Sequence, residues 1–565
     1  MRRSDGRWDA IVVGSGLGGL TTAAYLQTNG IRTLVLEQYD VLGGCSHVFR
    51  RKRKFEFDVG LHYIGECGPG GTFPTVLGGV GLRDRIEFLE MDRDGFDTLI
   101  FPGLEFRVPQ GWDRYLARLI QLFPDEQPAL ERCVGVLRAV SSEIGATAMP
   151  TADTFSSYAE QAPTVIEWGL RSLGDLYETC GLGRGARAVI AGQTGDHAAP
   201  PSRVSVGMHA SLLNHFIVDG AYYPKGGGQV LAAHLVDVIT SHGGQVRTRA
   251  RVEQILMDDG AAVGVRLVNG ETFGAAIVVS NADVKRTFGE LLERPQRSGM
   301  TERVCGYRMA LPLFSVYLGL DIDLREQMPN TNYWCHPDLD PDAVYEAAYA
   351  GEMPANPWIY ITSASVKDPH SKHLAPDGHS SLQILTVVPP GYEFWGIQEG
   401  PAAGERYSRT SVYREAKRRV EEAVMARALE ILPVMDGHIV WRESATPITQ
   451  ERYTLSSDGS CYGIEHTTDQ SGPLRASTKT DIDGLFLVGA STVSGHGIVG
   501  AMRGGVATAG AVLGRDLGSE IRAGSVFADP ARLTAGGPGW DPLRACRGHS
   551  RKERSTSSKL APVVA

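Results

Sequence analysis

Apolar residues run unbroken over Ala10-Ile-Val-Val13 and then give way to Gly14-Ser-Gly-Leu-Gly-Gly19. A short apolar run closed by a glycine turn predicts a buried strand. From Leu20 to Asn29, Ala, Thr and Leu follow one another in a helix-forming stretch, and Gly30 supplies the left-handed stop of a helix C-terminus. Ile31–Leu36 reads as a second buried strand. The change of period recurs downstream: a helix over Val230–Ser241, then short strands at Gln245–Arg247, Val252–Leu256, Val263–Leu267 and Ile277–Val279. Near the end a strand within Gly484–Gly489 precedes a small-residue helix, Ile498–Leu513. Between these blocks Pro163–Leu173 and Met208–Phe216 read as apolar-faced helices, whose aromatic and methionine side chains suit either a core or a tunnel. Strands alternating with helices predict an α/β chain with a parallel sheet, and the short strands a smaller sheet beside it.

No apolar window reaches the ~20 residues of a membrane span. The best, Met309–Leu320, lies between Arg308 and Asp321. Met1–Arg7 lacks the apolar stretch of a secretory signal. The expectation is a protein that is soluble or attached to a membrane surface. With 56 Lys and Arg against 65 Asp and Glu, the net charge of −9 argues against nucleic-acid binding. Eight cysteines are scattered without a C-x-x-C pair, so neither a metal site nor a disulfide framework is expected, and a reducing cytoplasm is the expected compartment. Glycine is in excess, 68 of 565 residues, against a usual ~7%. Without a triplet repeat, these glycines are backbone devices at particular places.

The first such place carries chemistry. Strand, G-x-G-x-x-G, helix, strand and a terminal acid follow in one compact unit ending at Glu37. Gly14 permits the tight turn, Gly16 lets a pyrophosphate approach the backbone, and Gly19 lets helix and strand pack closely. The helix N-terminus, at Leu17 and Gly18, offers unpaired N–H groups to the phosphates, and Glu37 is placed to accept hydrogen bonds from a ribose diol. The unit binds a dinucleotide. Three features favour FAD: the Gly43-Gly44 pair shortly after Glu37, the Tyr223–Gly228 turn ahead of the small sheet, and the late strand–Gly–helix unit. A second helix N-terminus beside a flavin would stabilise the negative charge of its reduced form. Ser15, Gln38, Val252, Gly489, Ala490 and Ile498 complete the expected cofactor contacts. No second complete G-x-G-x-x-G occurs, so a separate NADPH domain is not expected.

Leu36-Glu-Gln-Tyr-Asp-Val-Leu-Gly-Gly-Cys-Ser-His-Val-Phe49, followed by Phe55-Glu-Phe-Asp-Val-Gly-Leu-His-Tyr-Ile-Gly65, resembles the retinol saturase branch of the phytoene desaturase and carotenoid isomerase superfamily. Cys461-Tyr-Gly463 and Gly484–Thr492 are similar to the same superfamily. The resemblance covers the two ends and the block around 220–285. It is weak across 90–210 and 300–440, where specificity is decided. It implies a monoamine-oxidase-like flavoprotein of two interleaved domains acting on long, apolar, conjugated polyenes such as carotenoids or retinoids. The implied reaction is hydride transfer through FAD to a carbon–carbon double bond, with saturation favoured. The alternatives are a carotenoid desaturase, a cis–trans isomerase or a reductive cyclase of a polyene. An amine oxidase would call for an aromatic pair and a lysine–water site, neither of which the sequence marks. The external electron donor or acceptor is not written in the chain.

The expected FAD domain is discontinuous, 1–90, 218–300 and 440–520, with 91–217 and 301–439 forming the substrate domain and 530–565 a disordered basic tail. His496, between two glycines at the expected flavin edge, is a candidate proton donor, and His62 and Tyr63 are alternatives. Each could equally be a packing residue. Asp58 reads as a structural acceptor of backbone N–H groups and Cys45 as a small side chain beside the flavin loop. Arg50-Arg-Lys-Arg-Lys54 reads first as a solvated hairpin tip and second as an anionic-membrane contact.

Overall fold

The structure, a computed structural model, describes residues 7–147, 155–293, 299–537 and 539–549. Strand β1 (Trp8–Val13), helix α1 (Leu17–Thr28) and strand β2 (Thr33–Leu36) form the opening βαβ unit, with β1 and β2 parallel and Ala10 opposite Thr33. Burial on both faces is why these strands are continuous apolar runs. On one side β2 pairs with Gln245–Arg247; on the other β1 pairs with Thr272–Ser280, which in turn pairs with Leu485–Leu487, all in parallel. Thr272–Ser280 is long enough to serve two sheets. Its first half closes an antiparallel meander with Val252–Asp258 and Ala261–Leu267, and its second half enters the parallel core. Helix Gly497–Leu513 crosses α1 closely: a Cβ on Gly505 would lie 2.6 Å from the Thr21 Cβ.

A second seven-stranded sheet is mostly antiparallel. Its order is Ile439–Ala445, Leu313–Leu320, Ser380–Val387, Ile359–Thr362, Asn332–Cys335, Asp97–Phe101, Leu104–Val108. Leu313–Leu320 lies within the longest apolar window and is buried throughout, as a central strand. One core lies between this sheet and the helices of 112–217, and another between the sheet and the long helix Ser411–Ile431.

Two expectations change. Pro163–Leu173 is not one helix: Pro163–Trp168 ends before Gly169, and Leu173–Cys180 restarts behind a capping box in which Ser172 and Asp175 bond each other's backbone N–H. The cap competes successfully with helix continuation. The expected disordered tail is also corrected over its described part. Asp541 takes a two-point ion pair from Arg50, Leu42 N–H donates to the Cys546 carbonyl, and Leu533, Leu543 and Cys546 are buried in the dinucleotide-side core. Scattered apolar residues anchor a segment whose composition reads as polar. Residues 550–565 lie outside the described residues.

The basic run forms the turn of a hairpin, Val48–Arg51 with Phe55–Asp58, and Lys52 and Arg53 sit at φ +55° and +56°. Arg50 pairs with Glu56 and Asp541, and Arg51 with Glu443, leaving Lys52, Arg53 and Lys54 exposed.

Candidate functional site

After β1 the chain turns at Gly14, φ +95°, into a backbone too tight for side chains. A Cβ on Gly16 would lie 2.6 Å from Asn281 Nδ2, one on Gly19 2.5 Å from the Gly14 carbonyl, and one on Gly44 2.8 Å from the Gly16 Cα. No side chain caps α1, so its first turn is open, except that the Gly19 N–H donates to Asn281 Oδ1 at 3.1 Å. Glu37 is buried at the end of β2. Its Oε2 accepts from the Ser15 N–H at 2.9 Å and hydroxyl at 2.7 Å, and its Oε1 from the Tyr39 N–H at 2.8 Å. Burial raises the Glu37 pKa, and these donors oppose the rise. The acid therefore ties the glycine turn to the second strand while keeping lone pairs for a ribose.

The cradle is one end of a cavity of about 1210 Å³. All the expected site residues line it except Gly19, which packs beneath: Gly14–Gly18, Glu37, Gln38, Gly43, Gly44, Val252, Gly489, Ala490, Ile498, and His62, Tyr63 and His496. Apolar side chains wall another part of it, Val165, Met208, Leu212 and Phe216 among them. Ile166 and Leu170 line it there as well, and with Phe155 they are exposed large apolar side chains, 47%, 43% and 52%. Helix Gly497–Leu513 also begins at the cavity without a side-chain cap, after Gly495 at φ +81°. Two open helix N-termini and a glycine cradle with no room for Cβ atoms fit FAD, with one terminus for the pyrophosphate and one for the ring system. Arg475 adds a positive charge. It is 2% exposed, and its guanidinium donates to the carbonyls of Glu465, Gln470, Ala490 and Thr492 and to His466, meeting no carboxylate among the described residues.

The three candidate proton donors differ sharply in surroundings. Burial lowers His496 to about 4 and His62 to about 3, so both are neutral. His496 gives its Nε2–H to the Asp196 carbonyl at 2.7 Å, and its Nδ1 is without a partner. Tyr63 stacks on Phe216 with ring centroids 4.1 Å apart and places its hydroxyl 3.0 Å from Asp97 and 2.9 Å from Asp196. Asp97 is fully buried and also accepts from Gln193 at 2.6 Å and Asn332 at 2.9 Å. Burial raises Asp97 to about 6 and Asp196 to about 8, the neighbouring Asp97 adding to the latter. Behind this group Lys367 donates to the His62 carbonyl at 2.7 Å and to the Thr362 hydroxyl. Burial lowers it to about 7 against the pull of Asp97 and Asp58, and it is not among the cavity-lining residues. Asp58 accepts the Tyr223 hydroxyl at 2.5 Å and the Gly228 N–H at 2.9 Å. Cys45 lines the cavity and accepts from Gln450 at 3.2 Å.

Sequence reasoning missed Asn281, Asp97, Asp196 and Arg475. Asn281 had a legible signal, since it ends a buried strand of the parallel sheet, where ligands collect at carboxyl ends. The other three lie in stretches with no motif.

Residues 17–287 match the family model described as flavin containing amine oxidoreductase. The chain is 30% identical over 545 residues to an all-trans-retinol 13,14-reductase of Macaca fascicularis, covering 91% of this chain and 87% of that one. It is 28% identical over 543 residues to a chloroplastic prolycopene isomerase of an Oncidium hybrid cultivar, covering 93% and 87%. Among solved structures, a putrescine oxidase with bound putrescine superposes with a TM-score of 0.60 at 14% identity, over 90% of this chain and 99% of that one. That last likeness concerns the fold.

Proposed function

The chain belongs to the flavin containing amine oxidoreductase family, in the branch of the retinol reductases and prolycopene isomerases, and from that premise we propose that it saturates one carbon–carbon double bond of a long apolar polyene. It is an FAD-dependent oxidoreductase. The observation that carries the reading is a single cavity lined both by the glycine cradle and by apolar side chains of Pro163–Trp168 and Val206–Ile217. Pockets for ordinary small ligands hold ~300–1,000 Å³. One of about 1210 Å³ whose lining runs from Gly14–Gly18 and Glu37 to apolar side chains accommodates a dinucleotide together with a long hydrocarbon.

Gly14–Gly18 and the first turn of α1 bind the pyrophosphate, and Glu37 accepts from the ribose. Bound FAD supplies hydride transfer at its N5, chemistry that no side chain offers to an unpolarised alkene. The protein's part is alignment and the exclusion of water: Val165, Met208, Leu212 and Phe216 hold the chain of the substrate by burial. Phe155, Ile166 and Leu170, exposed where they line the cavity, suit a lipid surface from which such a substrate is drawn. Among the described residues no helix is long and apolar enough to cross a membrane.

The test is anaerobic. The bound flavin is photoreduced and mixed with retinoid and carotenoid substrates, and the expected result is reoxidation with one equivalent of dihydro product. Bleaching of oxidised flavin by the same compounds would establish desaturation instead. Geometric isomerisation without net electron transfer would establish the second reading, which the similarity to prolycopene isomerase over 93% of the chain supports.

A further inference from the structure

We propose that Asp196 is the proton donor of this reduction, holding a transferable proton at the cavity wall by a relay through Tyr63 to the ionised carboxylate of Asp97. The inference rests on the saturation reading above.

A tyrosine hydroxyl has one hydrogen, yet the Tyr63 oxygen sits within hydrogen-bond distance of two carboxyl groups, 3.0 Å from Asp97 and 2.9 Å from Asp196. One contact must therefore be donated by a carboxylic acid. Asp97 is the acceptor, because each of its oxygens already takes an N–H donor, Gln193 Nε2–H on Oδ2 and Asn332 Nδ2–H on Oδ1, and such donors favour the ionised form. Two N–H donors at 2.6 and 2.9 Å are what a buried carboxylate requires. Asp196 has the opposite environment. Among the described residues the Tyr63 hydroxyl is its carboxyl's only hydrogen-bond partner, and no cation pairs with it. The chain of donors thus runs from the Asp196 O–H to Tyr63 Oη, and from the Tyr63 O–H to Asp97. Two carboxylates around one hydroxyl cannot both be ionised cheaply. The raised pKa of Asp196, about 8 against about 6 for Asp97, has the same order.

Position singles out Asp196 as well. It lines the cavity beside Tyr63, whereas Asp97 is walled off behind the ring. Its backbone is fixed by the Thr194–Asp196 turn and by the His496 Nε2–H on its carbonyl. None of the nearby imidazoles is in its charged, acidic form, His62 included. His496 and His197 are neutral, each with its one N–H committed, to the Asp196 carbonyl and to His209. His466 is held neutral by burial and by Arg475.

Saturation adds a hydride to one alkene carbon and a proton to its neighbour. The hydride is the reduced flavin's contribution. The proton comes from the breaking Asp196 O–H bond, and the electron pair left by the former double bond forms the new C–H bond. The carboxylate that remains accepts the Tyr63 O–H and is reprotonated by solvent through the cavity before the next turnover. Loss of a positioned acid costs ~10²–10⁴-fold in rate.

The test pairs a spectrum with a rate, on the flavin-loaded enzyme. Infrared difference spectroscopy on isotope exchange should show, at neutral pH, a protonated-carboxyl band in the wild type that Asp196→Asn loses, over the background of other buried acids such as Glu56, which burial raises to about 7. That variant should keep its flavin and bind substrate, while reoxidation of photoreduced flavin by the polyene slows at least ~100-fold. Product made by the wild type in D₂O should carry one solvent deuterium next to the carbon that took the hydride. A carboxyl spectrum from which Asp196→Asn removes no band, or reoxidation within threefold of wild type, overturns the assignment of the donor. A wild type that no polyene reoxidises overturns the reading on which the donor rests, whatever the spectrum shows.

Discussion

Replacing Gly16 by alanine tests the cofactor cradle at its tightest point. The new Cβ would lie 2.6 Å from Asn281 Nδ2, where carbon contacts settle at ~3.5 Å or more, so Asn281 must retreat by roughly 1 Å. Asn281 is not free to do so, because its Oδ1 holds the Gly19 N–H at 3.1 Å. A hydrogen bond of that length does not survive such a displacement. Leaving a partly buried N–H without its acceptor costs about 1–3 kcal/mol. The apoprotein can relieve the clash by letting the turn swing outward, whereas the FAD complex needs the turn where it is. The cost therefore falls on binding, a roughly 5- to 150-fold rise in the FAD dissociation constant. Titration of apoprotein by flavin fluorescence quenching measures it directly. Gly135→Ala is the control: that glycine is exposed in helix Gln127–Ala146 with nothing near its would-be Cβ, and alanine there should leave FAD affinity unchanged. An unchanged dissociation constant for Gly16→Ala would refute the assignment of this turn to the pyrophosphate.

Other consequences are as concrete. Asp196 keeps its proton in the folded state up to about 8, while the unfolded chain loses it near ~4, so the folded state binds the extra proton between these values and stability falls as pH rises through them. Asp196→Asn should flatten that fall, which thermal melts at either end of the window would measure; parallel profiles would contradict it. Removing residues 530–565 deletes Leu533, Leu543 and Cys546 from the core and should lower the melting temperature, each of the two leucines contributing ~1.5–3 kcal/mol of burial; an unchanged melt would mean the segment is an accessory. For membrane contact, changing Phe155, Ile166 and Leu170 together to serine should reduce flotation with anionic vesicles, whereas neutralising Lys52, Arg53 and Lys54 should not; the reverse result would return the contact to the basic hairpin.

The sequence by itself determined the dinucleotide unit, because each of its requirements is local. A buried strand is a continuous apolar run, a tight turn needs glycine at fixed offsets, and the acid follows at the end of the next strand. Those rules placed Gly14–Gly19 and Glu37, and the same turn chemistry placed Gly489–Ile498 on the same cavity. What no local rule supplies is which distant segments meet. Asn281 closes the cradle because Thr272–Ser280 is the parallel neighbour of β1, a choice of strand order that periodicity does not encode. The segment at 530–549 is held by Arg50 and by three separated apolar residues, so its composition misled. Tyr63, Asp97, Asp196 and Asn332 stand in four separate parts of the chain with no shared motif: the register of Asp97–Phe101 against Asn332–Cys335 sets Asn332 beside Asp97, and long-range contacts of Tyr63 and His496 bring Asp196 to them. The dinucleotide turn is a property of one short segment and its backbone. Proton placement is a property of long-range packing, since a buried carboxyl is acid or carboxylate according to the donors that the folded chain sets around it.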